Sequence, residues 1–129
     1  MLDRYDPDQP PEAGAWMGLD EQERIQLVED FHARQRVELP NAKLHAVIHV
    51  VVENQIAMGL ESVVRAIPRL IAQGLSRHDA VHAVGSVVAE QIFDLSRGKG
   101  VATEAVHARY DAEIDRLSAK RWRRRVGPR

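Results

Sequence analysis

Apolar side chains recur at helical spacing near the start of the chain and predict an α-helix. Ile25, Val28 and Phe31 are three residues apart, which places them on one face of a helix. Asp20 precedes this stripe, and Glu23 lies three residues after Asp20. This is the spacing of a capping box, in which each side chain accepts a hydrogen bond from the backbone N–H of the other residue. The first helix is therefore expected over about residues 20–35.

A second helix is predicted over about residues 41–59, where apolar side chains occur on nearly every face. Such a helix is buried on all sides, so we expect it at the centre of the fold. Its β-branched residues, among them Val50, Val51 and Val52, are also typical of a strand. We favour a helix because the segment is longer than most strands, and Asn41 is a good N-cap for its start.

Turn residues divide the rest of the chain into three further helices. Gly74 closes the first of them, and Pro68 inside it is expected to kink or split the helix because proline lacks a backbone donor. Ser76 and Thr103 have the side chains of N-caps and begin the last two, with Gly98 between them as a stop. Short connections favour antiparallel neighbours, so we expect an all-α protein, a compact bundle of about five helices.

Length and composition agree with one globular domain. The chain has 129 residues, of which 44% are hydrophobic, enough for a core without covalent staples. It has no cysteine, which excludes disulfides and thiolate ligands and fits a reducing cytoplasm. Its apolar runs are shorter than the roughly 18 residues of a membrane span. These observations predict a soluble, cytoplasmic protein that does not enter a membrane.

The two ends of the chain differ from the body between them. Residues 1–18 are rich in proline and glycine and predict an irregular arm, with Trp16 and Met17 attaching its end to a helical body over residues 19–117. Residues 118–129 hold six Lys and Arg and no acid, which leaves a charge of −7 on the rest of a chain whose net charge is −1. The C-terminus is therefore predicted to be a basic tail.

The tail admits two interpretations. Lys120–Arg125 could bind phosphates while Trp122 stacks on a base. A solvated helix end also collects cations, because they suit the negative pole of the helix dipole. We favour the second interpretation and consider nucleic-acid binding unlikely, since the tail is the only feature of the sequence that suggests it. The sequence does not determine the oligomeric state, and a homo-oligomer is possible.

Two His-x-x-x-His pairs are the main chemical feature of the chain. His45 and His49 lie on the second predicted helix, and His78 and His82 lie on the fourth. Residues four apart stack on one helical face, so both rings of a pair can reach one metal ion. If the third helix returns the chain, both pairs stand at nearly the same height in the bundle. The spacing therefore predicts a metal site between helices, whereas His107 is expected on the surface.

Three further side chains are candidates for the same site. Glu53 follows His49 by one turn, and Glu29 and His32 form an E-x-x-H step at the end of the first helix, as in di-iron carboxylate bundles. Nitrogen and carboxylate ligands suit zinc or iron, either as a mononuclear zinc site or as a dinuclear iron site. Glu53 or Glu29 would be the candidate base if the site is catalytic.

Two classes of function remain open from these residues. The first is a metal-binding helical protein with a His and Glu site, as a metal-dependent hydrolase or oxidant. The second is a non-catalytic helical interaction module, in which the histidines form a polar network with Asn54 and Gln55 that organises the core. His78 and Asp79 also spell the HD dyad of helical phosphohydrolases, but no downstream aspartate in a fitting context follows.

Part of the chain resembles a bacterial family known as domain of unknown function 1841. The resemblance covers about residues 41–93 and rests on N-x-x-L-H-x-x-x-H at residues 41–49, on Gln55, and on the pair His78 and His82. In that family an acid and a glutamine are adjacent at the step that contains Gln55, whereas they are separated by one residue here. The resemblance implies a helical fold and supplies no activity.

Overall fold

The computed structural model describes residues 2–35, 41–96 and 103–126, and within these ranges the protein contains α-helices and no strand. The helices are α1 (Ala13–Met17), α2 (Glu21–Arg34), α3 (Ala42–Ala57), α4 (Glu61–Ala72), α5 (Arg77–Ser96), α6 (Thr103–Arg116) and α7 (Ala119–Val126). The all-α prediction is confirmed, with α1 and α7 added to the five helices expected. The predicted stop at Gly98 lies outside the described residues.

Three of the predicted helix starts are confirmed by hydrogen bonds to the caps. Asp20 and Glu23 form the reciprocal capping box of α2, with bonds of 2.8 and 3.0 Å. The side chains of Asn41 and Ser76 each accept a bond of 3.0 Å from the backbone N–H three residues later. Each bond satisfies a donor that a helix N-terminus leaves without an intrahelical partner.

Of the kink or split predicted at Pro68 the split is absent, and the direction of α4 also differs from the prediction. The helix continues through Pro68. Because proline has no N–H, the carbonyl oxygen of Val64 lacks its helical donor, but both residues lie on the exposed side, where water can donate to this oxygen. The chain turns by 104° between α3 and α4 through Gly59, whose φ is +77°. The expectation of antiparallel neighbours is therefore wrong for this pair, because α4 crosses α3 instead of running back along it.

Helix α3 is the central helix, as predicted, and contacts α1, α2, α4 and α5. Ala46 and Val50 pack with the arm and α2 on one side. Val52 packs into a second apolar cluster that is built from α4, α5, α6 and α7. No single helix in the described ranges is long and apolar enough to cross a membrane, and the only helices that pass that test jointly, α3 and α4, are sharply bent.

The N-terminal arm is irregular over residues 2–12, but it is part of the core. Tyr5 and Trp16 are both almost completely buried, whereas Met17, expected to help attach the arm, is exposed. The indole Nε1 of Trp16 donates a 2.8 Å hydrogen bond to Asn54 on α3. The arm therefore lies against the central helix.

The start of the predicted basic tail is the helix α7. Trp122 is 4% exposed and packs into the cluster around α4 and α5, so its ring is not available to stack on a base. Lys120, Arg121, Arg123 and Arg124 are exposed. Amphipathic packing of α7 therefore accounts for this arrangement of one aromatic side chain among cations.

Helices α3 and α5 approach closely at Gly85. A Cβ atom at this position would lie 2.9 Å from Cγ2 of Ile48 and 3.9 Å from Cγ2 of Val52. Of the two roles that a small residue could have beside the histidines, space for a ligand or close approach of a helix, the structure shows the second.

We expect Gly85→Ala to lower the free energy of unfolding by about 1 kcal/mol. Overpacking costs about 1–3 kcal/mol and outweighs the gain of about 1 kcal/mol in helix propensity. Urea denaturation measures the change. The double variant Gly85→Ala/Ile48→Ala should lose less than the sum of the two single variants. Higher stability of Gly85→Ala alone would contradict the close approach.

Candidate metal centre

Five histidine rings from three helices meet at one place in the structure, and we call them the histidine cluster. They are His32 on α2, His45 and His49 on α3, and His78 and His82 on α5. The ring centroids are 5.0 Å apart within the first pair and 4.3 Å apart within the second. Between the pairs, His49 and His82 are 4.8 Å apart. The predicted meeting of the two pairs is confirmed.

Four of the rings offer ligand atoms close enough to share one ion. One nitrogen from each of His32, His49, His78 and His82 lies within 4.8 Å of all the others. The Nε2 atoms of His49 and His82 are 2.9 Å apart. Nitrogens bound about 2.1 Å from a metal are about 3.0 Å apart at a right angle and about 3.4 Å apart at the tetrahedral angle. The spacing is thus close to that of two adjacent ligands.

The hydrogen bond of His32 directs its other nitrogen toward coordination. His32 Nδ1 lies 3.0 Å from the carbonyl oxygen of Val28. A carbonyl only accepts, so Nδ1 carries the proton and Nε2 keeps its lone pair. This Nε2 is buried and has no hydrogen-bond partner. A ligand histidine typically has this arrangement, in which the distal N–H is held and the proximal nitrogen faces the metal.

His49 is held by a chain of buried polar groups. The guanidinium of Arg77 binds both carboxylate oxygens of Glu53 at 2.8 Å. The hydroxyl of Tyr5 donates to Oε2 of Glu53 at 2.5 Å and lies 3.3 Å from Nδ1 of His49. Because the single hydroxyl proton of Tyr5 is given to Glu53, His49 Nδ1 is the donor to Tyr5. The lone pair of His49 Nε2 then faces the other rings.

Burial keeps three of the rings neutral, which is the form of histidine that binds metals. Removal from water lowers the pKa of His49 far below its usual range, and the neighbouring rings, His82 first, lower it further. Burial, followed by the neighbouring rings of His32 and His78, lowers the pKa of His45 to about 4. Desolvation also lowers the pKa of His32, against the opposing effect of its bond to Val28. These three imidazoles are therefore unprotonated at neutral pH.

The remaining predicted site residues lie at the edge of the four-histidine group or outside it. His45 is 4.7 Å from His32 and 5.0 Å from His82 between ring centroids, and its buried Nε2 has no hydrogen-bond partner. Glu53 is buried, but both its oxygens are bonded to Arg77. Glu29 is one-third exposed, and Lys43 lies 3.7 Å from its carboxylate. Neither carboxylate belongs to the four-histidine group.

Two important residues, Tyr5 and Arg77, were missed from the sequence. A carboxylate such as Glu53 on a helix without an exposed face needs a cation, so a buried partner could have been expected. Nothing in the sequence showed which of the 18 Lys and Arg it is. Tyr5 lies in a segment without periodicity, and only the folded arm brings it to Glu53.

The polar residues assigned to a core network make packing contacts elsewhere on α3. Asn54 accepts bonds from Trp16 and from Arg24 at 2.8 and 3.2 Å. Gln55 accepts a 2.6 Å bond from the hydroxyl of Tyr110 on α6. These bonds join α3 to its neighbours. His107 is exposed, as expected.

Comparison with protein-family models, with curated proteins and with solved structures found no match to this chain. The class of protein that the fold and the site define is thus an all-α protein with a histidine cluster able to hold a metal ion. Its function must be inferred from the geometry of its own residues.

The stability of the metal-free protein should fall as the pH is lowered from 7 to 5. An unfolded histidine takes up a proton near pH 6.5, whereas His32, His45 and His49 have lowered pKa values in the fold. The unfolded chain therefore binds more protons than the folded chain over this range. The contribution of these rings to stability is fully present above about pH 6.5 and is progressively lost below it. The slope is expected to approach about 1.4 kcal/mol per pH unit for each ring that is protonated in the unfolded chain and neutral in the fold.

Urea denaturation in the presence of a chelator measures this slope. His45→Gln should make the slope shallower, and His107→Ala should leave it unchanged. A metal-free protein equally stable at pH 7 and pH 5 would contradict the burial of neutral rings.

Replacement of Arg77 by Met should cost about 3–5 kcal/mol of stability, because it leaves the carboxylate of Glu53 buried without its cation. Arg65→Met is the matched control, since Arg65 pairs with Asp115 at 3.1 Å on the exposed surface, where a pair contributes about 1 kcal/mol or less. Thermal denaturation compares the two variants. Equal losses would show that the Glu53–Arg77 pair is no more important than a surface pair.

Proposed function

We propose that this protein binds one divalent transition-metal ion through His32, His49, His78 and His82, with His45 as a further ligand at the edge. The observation that carries the proposal is the group of four imidazole nitrogens within 4.8 Å of one another. Imidazole is a good ligand for zinc and for ferrous iron, the two ions that we consider first.

The cost of burying the rings supports a metal. A buried nitrogen without a partner is unfavourable by about 1–3 kcal/mol, and the Nε2 atoms of His32 and His45 are both in this situation. A cation among the rings would satisfy several nitrogens at once. The tautomers of His32 and His49 support the same conclusion, because each is anchored through Nδ1 and turns a lone pair inward.

The composition of the site favours a mononuclear centre over a dinuclear one. Di-iron sites in helical bundles use carboxylates as ligands, whereas the four-histidine group contains none. The charge of Glu53 is already matched by Arg77. Neutral imidazoles would leave the full charge of the ion uncompensated, which suits polarisation of a bound water or another oxygen ligand.

The cluster is partly accessible to solvent. His32 and His49 are buried, whereas His45, His78 and His82 are only partly buried. A metal held here could keep a coordination position toward solvent, as catalytic sites do and closed structural sites do not. A hydrolase or an oxidant is compatible with such a position. Glu53 is bonded to Arg77 and Tyr5 and is therefore not available as a general base. A hydrolase would then depend on the metal to lower the pKa of a bound water.

The alternative is that the histidines only organise the core. The 2.9 Å contact between the Nε2 atoms of His49 and His82 favours it, since one ring could donate to the other without a metal. The two proposals differ in one measurable quantity, the metal content of the protein.

Protein purified without a nickel column should contain about one zinc or iron ion per chain by mass spectrometry. Metal-free protein should gain about 2.7 kcal/mol of stability when zinc is present at a hundred times its dissociation constant. Protein that contains no metal and gains no stability from zinc, iron or manganese would favour the core-organising alternative.

Variants should separate the cluster from other histidines. His82→Ala and His78→Ala, both at partly buried positions, should each lower the metal content sharply by removing one ligand. His107→Ala on the exposed face of α6 is the control and should retain it. Equal metal content in all three variants, after circular dichroism has confirmed folding, would place the metal elsewhere.

A further inference from the structure

We infer that Tyr5 in the N-terminal arm is a positioning residue of the metal centre. The buried Glu53–Arg77 pair holds the hydroxyl of Tyr5, and this hydroxyl sets the tautomer and orientation of His49. The inference rests on the proposed function, because it assigns an outer shell to that metal site. It also gives the arm a part in binding the metal.

The outermost part of this shell is rigid. Arg77 is the first residue of α5, and its two terminal nitrogens bind the two oxygens of Glu53 on α3. A bidentate pair of this kind fixes the plane of the carboxylate. Arg77 also donates a 2.9 Å bond to the carbonyl oxygen of Pro7 in the arm. The acceptor offered to Tyr5 therefore has a defined position.

Tyr5 transmits this position to the histidine. A carboxylate paired with arginine accepts hydrogen bonds and donates none, so the hydroxyl proton of Tyr5 points to Oε2 of Glu53. Only the lone pairs of the hydroxyl are then left for His49. The ring must present an N–H to them at Nδ1, so its Nε2 carries a lone pair that can coordinate a metal.

The arm is held beside the cluster at further points. Arg34 of α2 donates to the carbonyl oxygen of Tyr5 at 3.1 Å. The backbone N–H of His78 donates to the carboxylate of Asp8 at 3.0 Å. The rings of Tyr5 and Phe31 pack edge to face with centroids 6.2 Å apart. Two helices that bear histidines of the cluster therefore bond the arm directly, and they hold Tyr5 in its place.

The matched variants Tyr5→Phe and Tyr110→Phe test the inference. Each removes one buried hydroxyl that donates to a side chain of α3, Glu53 in one case and Gln55 in the other, and each keeps the ring. Tyr5→Phe leaves the Glu53–Arg77 pair intact, so the variant should fold. We expect it to weaken binding of zinc about 10- to 100-fold, the usual effect of removing an outer-shell partner.

The readouts are zinc affinity by competition with a chromogenic chelator, and the visible absorption of the cobalt-substituted protein. A shift of the cobalt bands in Tyr5→Phe but not in Tyr110→Phe would support a positioning role, because simple loss of stability does not change the ligand field. Equal zinc affinities and equal cobalt spectra in Tyr5→Phe and the unaltered protein would overturn the inference. The metal site itself would stand in that case.

The tautomer of His49 is a second and independent measurement. Long-range proton–nitrogen NMR of the metal-free protein should show the proton of His49 on Nδ1, and Tyr5→Phe should shift the population toward Nε2–H. A proton on Nε2 in the unaltered protein would contradict the inference. If the unaltered protein does not bind zinc, cobalt or iron, both the metal site and the role of Tyr5 are overturned. This outcome differs from unchanged metal binding in Tyr5→Phe, which overturns only the role of Tyr5.

Discussion

The buried ion pair between Glu53 and Arg77 is the contact on which the arrangement of the histidine cluster depends. It joins the C-terminal half of α3 to the first residue of α5, and these two helices carry four of the five histidines. Taking both charges out of water is unfavourable and is offset only when the remaining hydrogen-bonding capacity is used. Tyr5 and the carbonyl of Pro7 use that capacity here. The pair therefore fixes the positions of the groups bonded to it, although a buried ion pair by itself is weak evidence for stability.

The arm connects this pair to the rest of the fold. An arm that only filled space would need apolar contacts, and Trp16 supplies them. The arm also contributes a hydroxyl to Glu53 on α3 and a carbonyl and a carboxylate to the start of α5. Its irregular backbone is what makes this geometry available, because a helix would have bonded its own carbonyls internally. The arm is thus a component of the site.

The histidine cluster itself combines two opposing requirements. Burial removes water from the rings and favours their neutral form, which leaves lone pairs that need partners. Bonds to Val28 and Tyr5 satisfy one nitrogen each of His32 and His49. The Nε2 of His32 has no hydrogen-bond partner among the described residues, whereas that of His49 lies 2.9 Å from the Nε2 of His82, and a single cation would bind several such nitrogens at once. The same neutral rings that weaken the protein toward acid are therefore the ones whose lone pairs could bind a metal ion.

Local patterns in the sequence determined the helices and the faces that carry chemistry. Caps at Asp20, Asn41 and Ser76 and the four-residue spacing of the histidines depend on neighbours along the chain, so they could be read from it. The meeting of the two pairs was also expected, although α4 crosses α3 instead of running back. Only the tertiary structure decided that Arg77 is the partner of Glu53, that Tyr5 lies against His49, and that Trp122 is buried. Such contacts join residues 24 to 48 positions apart, or depend on how a terminal helix packs, and no local spacing encodes them.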